Sequence, residues 1–344
     1  MAYISFQPKD YFNTKLYTGN AGTQTITGVG FQPDWTWIKN RSASEHHVLT
    51  DAARGVNKQL NTNRTNAELT LTTQLTAFTS DGFSVGAGAE VNGSGANMLS
   101  WNWKANGQGS SNTDGTINST YTSASTTSGF SIVTYTGTNT LGATVGHGLG
   151  VAPKMIIVKS RTGGGENWNM YHANLGATKY MNLNTSTSAY TDINAWNNTA
   201  PTASVFSIGG NSGDTGRSGQ DYVAYCFAET KGFSKIGTYT GNNADDGPFV
   251  PCGFKPAWLL VFRTDGNYKR LIQNSKSSTT NPVLLYVSAE YADAEASGMT
   301  TDFLSNGFKL RDNDAQRNTV NPYIFMAFAE EPFVATNGQP ATAR

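Results

Sequence analysis

The chain has 344 residues, room for two or three domains. Only 14% are charged, yet there are 17 Phe, 15 Tyr and 7 Trp, which excludes a disordered chain and allows several buried cores. The 24 basic and 24 acidic residues cancel and form no long basic run, which argues against nucleic acid or an anionic membrane surface as partner.

At the N-terminus, MAYISFQPKDYF has neither a basic nor an apolar signal region, so no secretion signal is expected. Tyr17-Thr18-Gly19 then opens a pattern that recurs at Tyr135-Thr136-Gly137 and Tyr239-Thr240-Gly241. Each triplet leads through a glycine-containing stretch to a proline, Pro33, Pro153 or Pro256, and then to an apolar strand at 34–41, 154–161 or 257–263. A second landmark follows at 78–86, 204–210 and 303–311, and a closing strand at 98–105, 222–229 and 323–330. Four landmarks in one order with near-constant spacing mark three tandem repeats. The expected organisation is β-domain 1 over 1–105, a Ser/Thr/Asn/Gly-rich linker over 106–128 with room for one short strand, β-domain 2 over 129–231, β-domain 3 over 232–334, and a tail over 335–344. Domains two and three abut, and 129–334 is expected to fold alone.

Within each unit the period is two. The indoles of Trp101 and Trp103 alternate with Asn102 and Lys104, and Val223, Tyr225 and Phe227 alternate with the smaller Ala224, Cys226 and Ala228. The small second face anticipates another layer packed against it. Alternation with frequent turn residues gives antiparallel strands. The expected fold class is therefore all-β, with three tandem antiparallel β-sandwich-like domains of about 100 residues each. A three-bladed propeller is not expected, because propellers have four or more blades. The best helical candidate, 289–297, has room for one or two turns.

Residues that carry catalysis are hard to find. His46, His47, His147 and His172 show no HxxxH or HxH spacing, so no metal site is expected. Cys226 and Cys252 are expected to be free and buried. The stretches 92–96 and 212–219 imitate G-x-S-x-G without a strand–turn–helix context and read as turns. Gly163-Gly164-Gly165 lacks a following Lys-Ser/Thr and reads as a loop. Asp245-Asp246 lies in a turn, and Glu330-Glu331 ends a strand and matches Glu229, so neither reads as a glycosidase pair. Asp51 and Arg54 read as a turn closed by an internal ion pair. No catalytic residue and no cofactor are expected, and the chain does not read as an enzyme.

Binding by stacking is the better prospect, since sugars dock on flat aromatic faces beside neutral amides. The ligand-binding candidates are Trp168, Tyr171, His172, Trp196 and Asn197 in unit two, and Tyr268, with Lys269 beside it, in unit three. Against this stands the plainer reading that Trp168 and Trp196 cap the core, since Trp is usually well buried.

The segments 134–161, 168–184, 197–206 and 222–242, with Phe31 to Arg41, Leu49-Thr50-Asp51 and Arg54-Gly55 in the first unit, are similar to the repeated β-domain of bacteriophage tail-fibre and other virion structural proteins, of the type found in phages of cyanobacteria and marine bacteria. The resemblance covers roughly residues 3–333. It implies a virion component, with the tail favoured over the head, made in the host cytoplasm and bound to other virion proteins. Its first implication is a tail fibre or tail-associated adhesion protein that contacts a host-surface glycan. The alternative is a head decoration or other non-adhesive structural protein, because no heptad run offers a fibre shaft. A polysaccharide depolymerase is the remote reading. Virion fibres are commonly trimers, so the expectation is a homotrimer or three repeats standing in for one.

Overall fold

The computed structural model describes residues 5–210 and 215–331. The 335–344 tail and part of the 212–219 stretch lie outside the described residues. The first unit contains β1 (Phe12–Thr18), β2 (Gln24–Ile26), β3 (Trp35–Asn40), β4 (Val48–Asp51), β5 (Lys58–Gln59), β6 (Leu69–Thr70), β7 (Leu75–Thr79), β8 (Gly82–Val85) and β9 (Asn97–Trp103). After β10 (Tyr121–Ser125), the second contains β11 (Phe130–Thr136), β12 (Thr144–Gly146), β13 (Met155–Ser160), β14 (Trp168–His172), β15 (Lys179–Asn182), β16 (Tyr190–Thr191), β17 (Val205–Ser207) and β18 (Asp221–Phe227). The third contains β19 (Ser234–Thr240), β20 (Phe249–Pro251), β21 (Trp258–Arg263), β22 (Leu271–Asn274), β23 (Val283–Ser288), β24 (Ala296–Leu304), β25 (Gly307–Leu310) and β26 (Pro322–Phe328).

The chain is all-β, and the main sheets repeat one antiparallel order: β1-β9-β3-β4, β11-β18-β13-β14 and β19-β26-β21-β22. The period-two alternation decides what each face does. Outer faces carry Ile38 and Met98, Ile156 and Ala224, or Leu259 and Phe325. Each is covered by a second layer that brings Phe83 and Val85, Val145 and Phe206, or Val250 and Phe308, a separate small sheet in units one and two and the far end of the same eight-stranded sheet in unit three. That gives each unit its two-layered, sandwich-like build. The opposite faces carry Trp35, Trp37, Trp101 and Trp103, then Ile157, Tyr225 and Phe227, then Trp258, Leu260 and Phe328, and all of these belong to one core. Three sheets thus wall a common centre with one face each.

Aromatic contacts cross that centre between every pair of units. Trp35 stacks on Tyr225 at 4.5 Å, Trp103 meets Trp258 edge-on at 5.7 Å, and Phe227 meets Phe328 at 6.1 Å. Offset and edge-on arrangements are the favoured ones for ring quadrupoles.

The Tyr-Thr-Gly repeat has a local cause. The hydroxyls of Tyr17, Tyr135 and Tyr239 donate to the carbonyls of Val91, Thr215 and Arg317 at 2.6, 2.8 and 2.8 Å, pinning the segment that precedes each closing strand. The glycine two residues on lets that segment approach: a Cβ on Gly19, Gly137 or Gly241 would lie 2.0, 2.4 or 2.1 Å from a backbone carbonyl oxygen.

The units close into a ring. His47, Trp168 and Arg270 stand at one equivalent position, four residues before the register partners of Trp35, Met155 and Trp258. His47 reaches the Ser288 carbonyl of unit three at 3.0 Å. Trp168 donates to the Asn61 carbonyl of unit one at 2.9 Å. Arg270 donates to the Asn182 carbonyl of unit two at 3.2 Å. Lys39 and Lys159, equivalent on β3 and β13, follow the same rule: Lys39 grips the Ala292 carbonyl of unit three and Lys159 the Thr65 carbonyl of unit one. Unit one therefore holds three, three holds two, and two holds one, the pattern of a heterologous interface that closes.

Two expectations are corrected here. Residues 289–297 form no helix: Ala289 and Glu290 make a turn and Ala296 begins β24. Their carbonyls are engaged elsewhere, Ala289 accepting from Thr62 and Ala292 from Lys39 of unit one. The helices are the short α1 (Ala89–Asn92) and α2 (Ile193–Trp196), with a 3-10 turn at Pro8–Asp10. Residues 106–128 are no loose linker, since β10 pairs along β11 and Ile117 is buried. The shared core also leaves 129–334 without one wall.

Candidate functional site

The aromatic candidates are mostly interior. Trp168, Tyr171 and His172 lie on β14, every residue of which is buried. Its mixed sequence, Trp-Asn-Met-Tyr-His, hides a strand whose Trp168 and Met170 face the common core while Tyr171 faces the outer one. Trp196 is buried on α2, edge-on to Tyr171 at 5.8 Å. In this fold Trp168, Tyr171, His172 and Trp196 offer no face to a ligand, because packing takes both sides of their rings. Asn197 is half-buried as the left-handed C-cap of α2, with φ of 51°. Tyr268 is half-buried, and the Arg263 guanidinium lies 3.9 Å from its ring centroid.

Three of the four histidines share one wiring. The Nδ1 atoms of His47, His147 and His172 accept from Trp37 Nε1, Leu149 N and Asn174 N, so their Nε2–H groups donate to the carbonyls of Ser288, Thr202 and Phe325. Burial lowers all three pKa values, that of His172 to about 4, so the rings are neutral structural struts. Among the described residues no group of three or more His, Cys, Asp or Glu is placed to hold a metal ion. No helix among them is long and apolar enough to cross a membrane. Cys226 and Cys252 are free and buried, and burial pushes the Cys226 thiol up to about 12.

Asp51 and Arg54 do form the internal ion pair, at 2.5 Å, and it extends across a junction. Arg54 also meets Glu68 at 3.1 Å and the Tyr225 hydroxyl of unit two at 3.2 Å, while Glu68 pairs with Arg161 of unit two at 3.0 Å. Burial works against the Arg54 charge, but Asp51, Tyr225 and Glu68 outweigh it. Every member is satisfied, which suits holding rather than proton transfer. In the acidic pairs Asp246 likewise meets Lys309 and Arg311, and Glu330 meets Lys276.

One surface gathers accessible aromatics, and it contains Tyr268. Where unit two meets unit three, Tyr268 N–H donates to the Ser186 carbonyl at 2.8 Å and Ala189 N–H to the Thr264 carbonyl at 3.0 Å. Beside this seam Tyr180 and Tyr190 stack at 5.2 Å, paired across β15 and β16. From unit three come Tyr286 and Tyr291, with Lys269 Nζ 5.8 and 5.9 Å from their ring centroids. Tyr190 and Tyr291 are each 39% exposed, enough to present a ring face. Arg270 lies beneath, and burial lowers its pKa to about 10. Under the seam burial pushes Glu290 up to about 7, against its own and Arg270's backbone N–H groups. Tyr180, Tyr190, Tyr286 and Tyr291 escaped the sequence reading because they lie outside the four repeated landmarks. Tyr180 and Tyr286 do hold one register-equivalent position, two residues before Asn182 and Ser288, and that shared tyrosine was the signal available.

A family model described as a domain of unknown function (DUF7483) matches residues 7–332. No curated protein and no solved structure matches the chain.

Proposed function

The chain belongs to the DUF7483 family, and we propose that it is a bacteriophage virion structural protein, tail-associated, that contacts a host-surface glycan through the tyrosine-lined seam between units two and three. The virion assignment rests on the sequence resemblance. The glycan contact rests on one observation, the stacked Tyr180–Tyr190 pair beside Tyr268, Tyr286 and Tyr291 on an otherwise neutral polar surface. Tyrosine suits this use, since its ring is flat and apolar and its hydroxyl can meet sugar hydroxyls.

The test is retention on host cells and on a glycan array by the intact chain and by a Tyr190→Ala/Tyr291→Ala variant. Tenfold or greater loss with unchanged far-ultraviolet circular dichroism supports the reading. Equal retention by both proteins, or none by either, contradicts it. The non-adhesive alternative, a head decoration or other virion component, draws on the burial of Trp168, Tyr171, His172 and Trp196. Labelled antibody on heads rather than tails would favour it. No observation at the seam favours a depolymerase, which would need two carboxylates set either side of a glycosidic bond.

A further inference from the structure

One sheet edge is treated differently in the three units. Lys104 N–H donates to the Tyr11 carbonyl and Ala329 N–H to the Phe233 carbonyl. In an antiparallel ladder this phase turns the peptide groups of Thr14 and Leu16 on β1, and of Ile236 and Thr238 on β19, away from the sheet. β1 and β19 end their sheets. The equivalent strand of unit two is β11, and there β10 covers the edge, with Ser123 opposite Ile132.

Where no strand is supplied, a carboxylate stands in. Glu330 Oε1 accepts the Thr14 N–H at 3.3 Å, and Glu229 Oε2 accepts the Ile236 N–H at 3.4 Å. Both bonds are long for a charged acceptor. The strand registers put Ala105 at the corresponding position of unit one, so the carboxylate is missing where β10 is present.

A groove accompanies each open edge. The one along β1 has a volume of about 410 Å³ and is walled by Lys276 and Thr279 of unit three. The one along β19 has a volume of about 300 Å³ and is walled by Lys154 and Asn174 of unit two. β10 lies in the corresponding place along β11, where its Ser123 Oγ accepts the N–H of Asn106, the residue that follows unit one, at 2.9 Å.

We propose that the edges of β1 and β19 are strand-acceptor sites for an extended segment of a partner protein that resembles β10. The incoming backbone takes the outward N–H and C=O groups and displaces Glu330 and Glu229. Main-chain pairing at a sheet edge is a general mode of peptide recognition, and an edge left open invites it. β10 sets the chemistry of the occupant: Tyr-Thr-Ser-Ala-Ser, with Ser123 and Ser125 buried, so small hydroxyl-bearing side chains fit between edge and wall. Lys15, Lys276 and Glu330 at one groove, and Lys154, Lys235 and Glu229 at the other, leave one positive charge in excess, which favours a carboxylate on the segment. This inference is independent of the glycan reading, since neither groove includes the tyrosine seam.

The test titrates a synthetic peptide of residues 116–127 (TINSTYTSASTT) into the intact chain by calorimetry. Two equivalents should bind. Thr14→Pro and Ile236→Pro, which remove outward N–H groups and not ladder donors, should each abolish one of them. Should a proline variant fail to fold, Glu330→Ala and Glu229→Ala serve instead, and each should tighten binding about tenfold by clearing a charged competitor from the edge. Absence of saturable binding, or binding unchanged by all four substitutions, would overturn the proposal. Concentration-dependent self-association of the peptide-free chain, lost in the proline variants, would also overturn it, by making a second copy the occupant.

Discussion

Arg54 is fully buried and serves two carboxylates, a tyrosine hydroxyl and two backbone carbonyls at the junction of units one and two. Removing it takes the guanidinium from Asp51, which keeps the Tyr225 hydroxyl as donor, and from Glu68, which keeps Arg161, and breaking such a buried network costs about 3–5 kcal/mol. Arg54→Ala is therefore expected to lower stability by that amount in urea unfolding, whereas the Asp246 pairs, with that carboxylate on the surface, contribute little. Glu290 makes a pH prediction. Its folded pKa, about 7, lies above the unfolded value near 4.5, so it stabilises fully below about pH 4.5 and loses that contribution as pH rises through 7. The full swing is at most about 3 kcal/mol. His172 has the opposite sign: its pKa is depressed to about 4, so its contribution is present above pH 6.5 and is lost as pH falls toward 4. Comparing melting temperatures of the natural chain and Glu290→Gln from pH 4.5 to 8 separates the two. The variant should gain on the natural chain steadily as pH rises, and a constant difference would refute the assignment.

At the scale of elements, the Tyr-Thr-Gly triplet is a clasp between the first strand of each unit and the segment before its last. Tyr135→Phe is expected to cost about 1 kcal/mol, by leaving the Thr215 carbonyl short of a donor. Gly137→Ala should cost more, since its Cβ would lie 2.4 Å from the Arg217 carbonyl oxygen. A smaller loss for the glycine change, measured in the same urea titration, would show that the loop is free to move away. Elements of this kind were readable from the chain because their causes are local. The apolar runs at 34–41, 154–161 and 257–263 became β3, β13 and β21, and the alternation in 98–105 and 222–229 assigned the faces of β9 and β18. β14 was unreadable as a strand for the opposite reason. Asn169 and His172 look like loop residues until the second and third units bury them, and His172 bonds a carbonyl 153 positions away. The tyrosine seam was equally hidden, because its members come from β15, β16, β23 and the loops beside them, and only the ring brings them together.

For the whole molecule, the repeats showed that three units exist and not how they are held. Each outer core belongs to a single unit and fits the reading of sandwich-like modules. The inner core belongs to all three, and the cyclic grips of His47, Trp168 and Arg270 close it. A chain built this way carries inside itself what three identical subunits would otherwise assemble. Removing unit one would expose the indole of Trp258 and the rings of Tyr225 and Phe227 to water, a large apolar cost. Differential scanning calorimetry of the intact chain tests this closure most directly. One transition, with calorimetric and van't Hoff enthalpies equal, is the expected result. Two or three resolved transitions, with a fragment of residues 129–334 retaining the upper ones, would show that the units fold as independent modules and that the common core does not unite them.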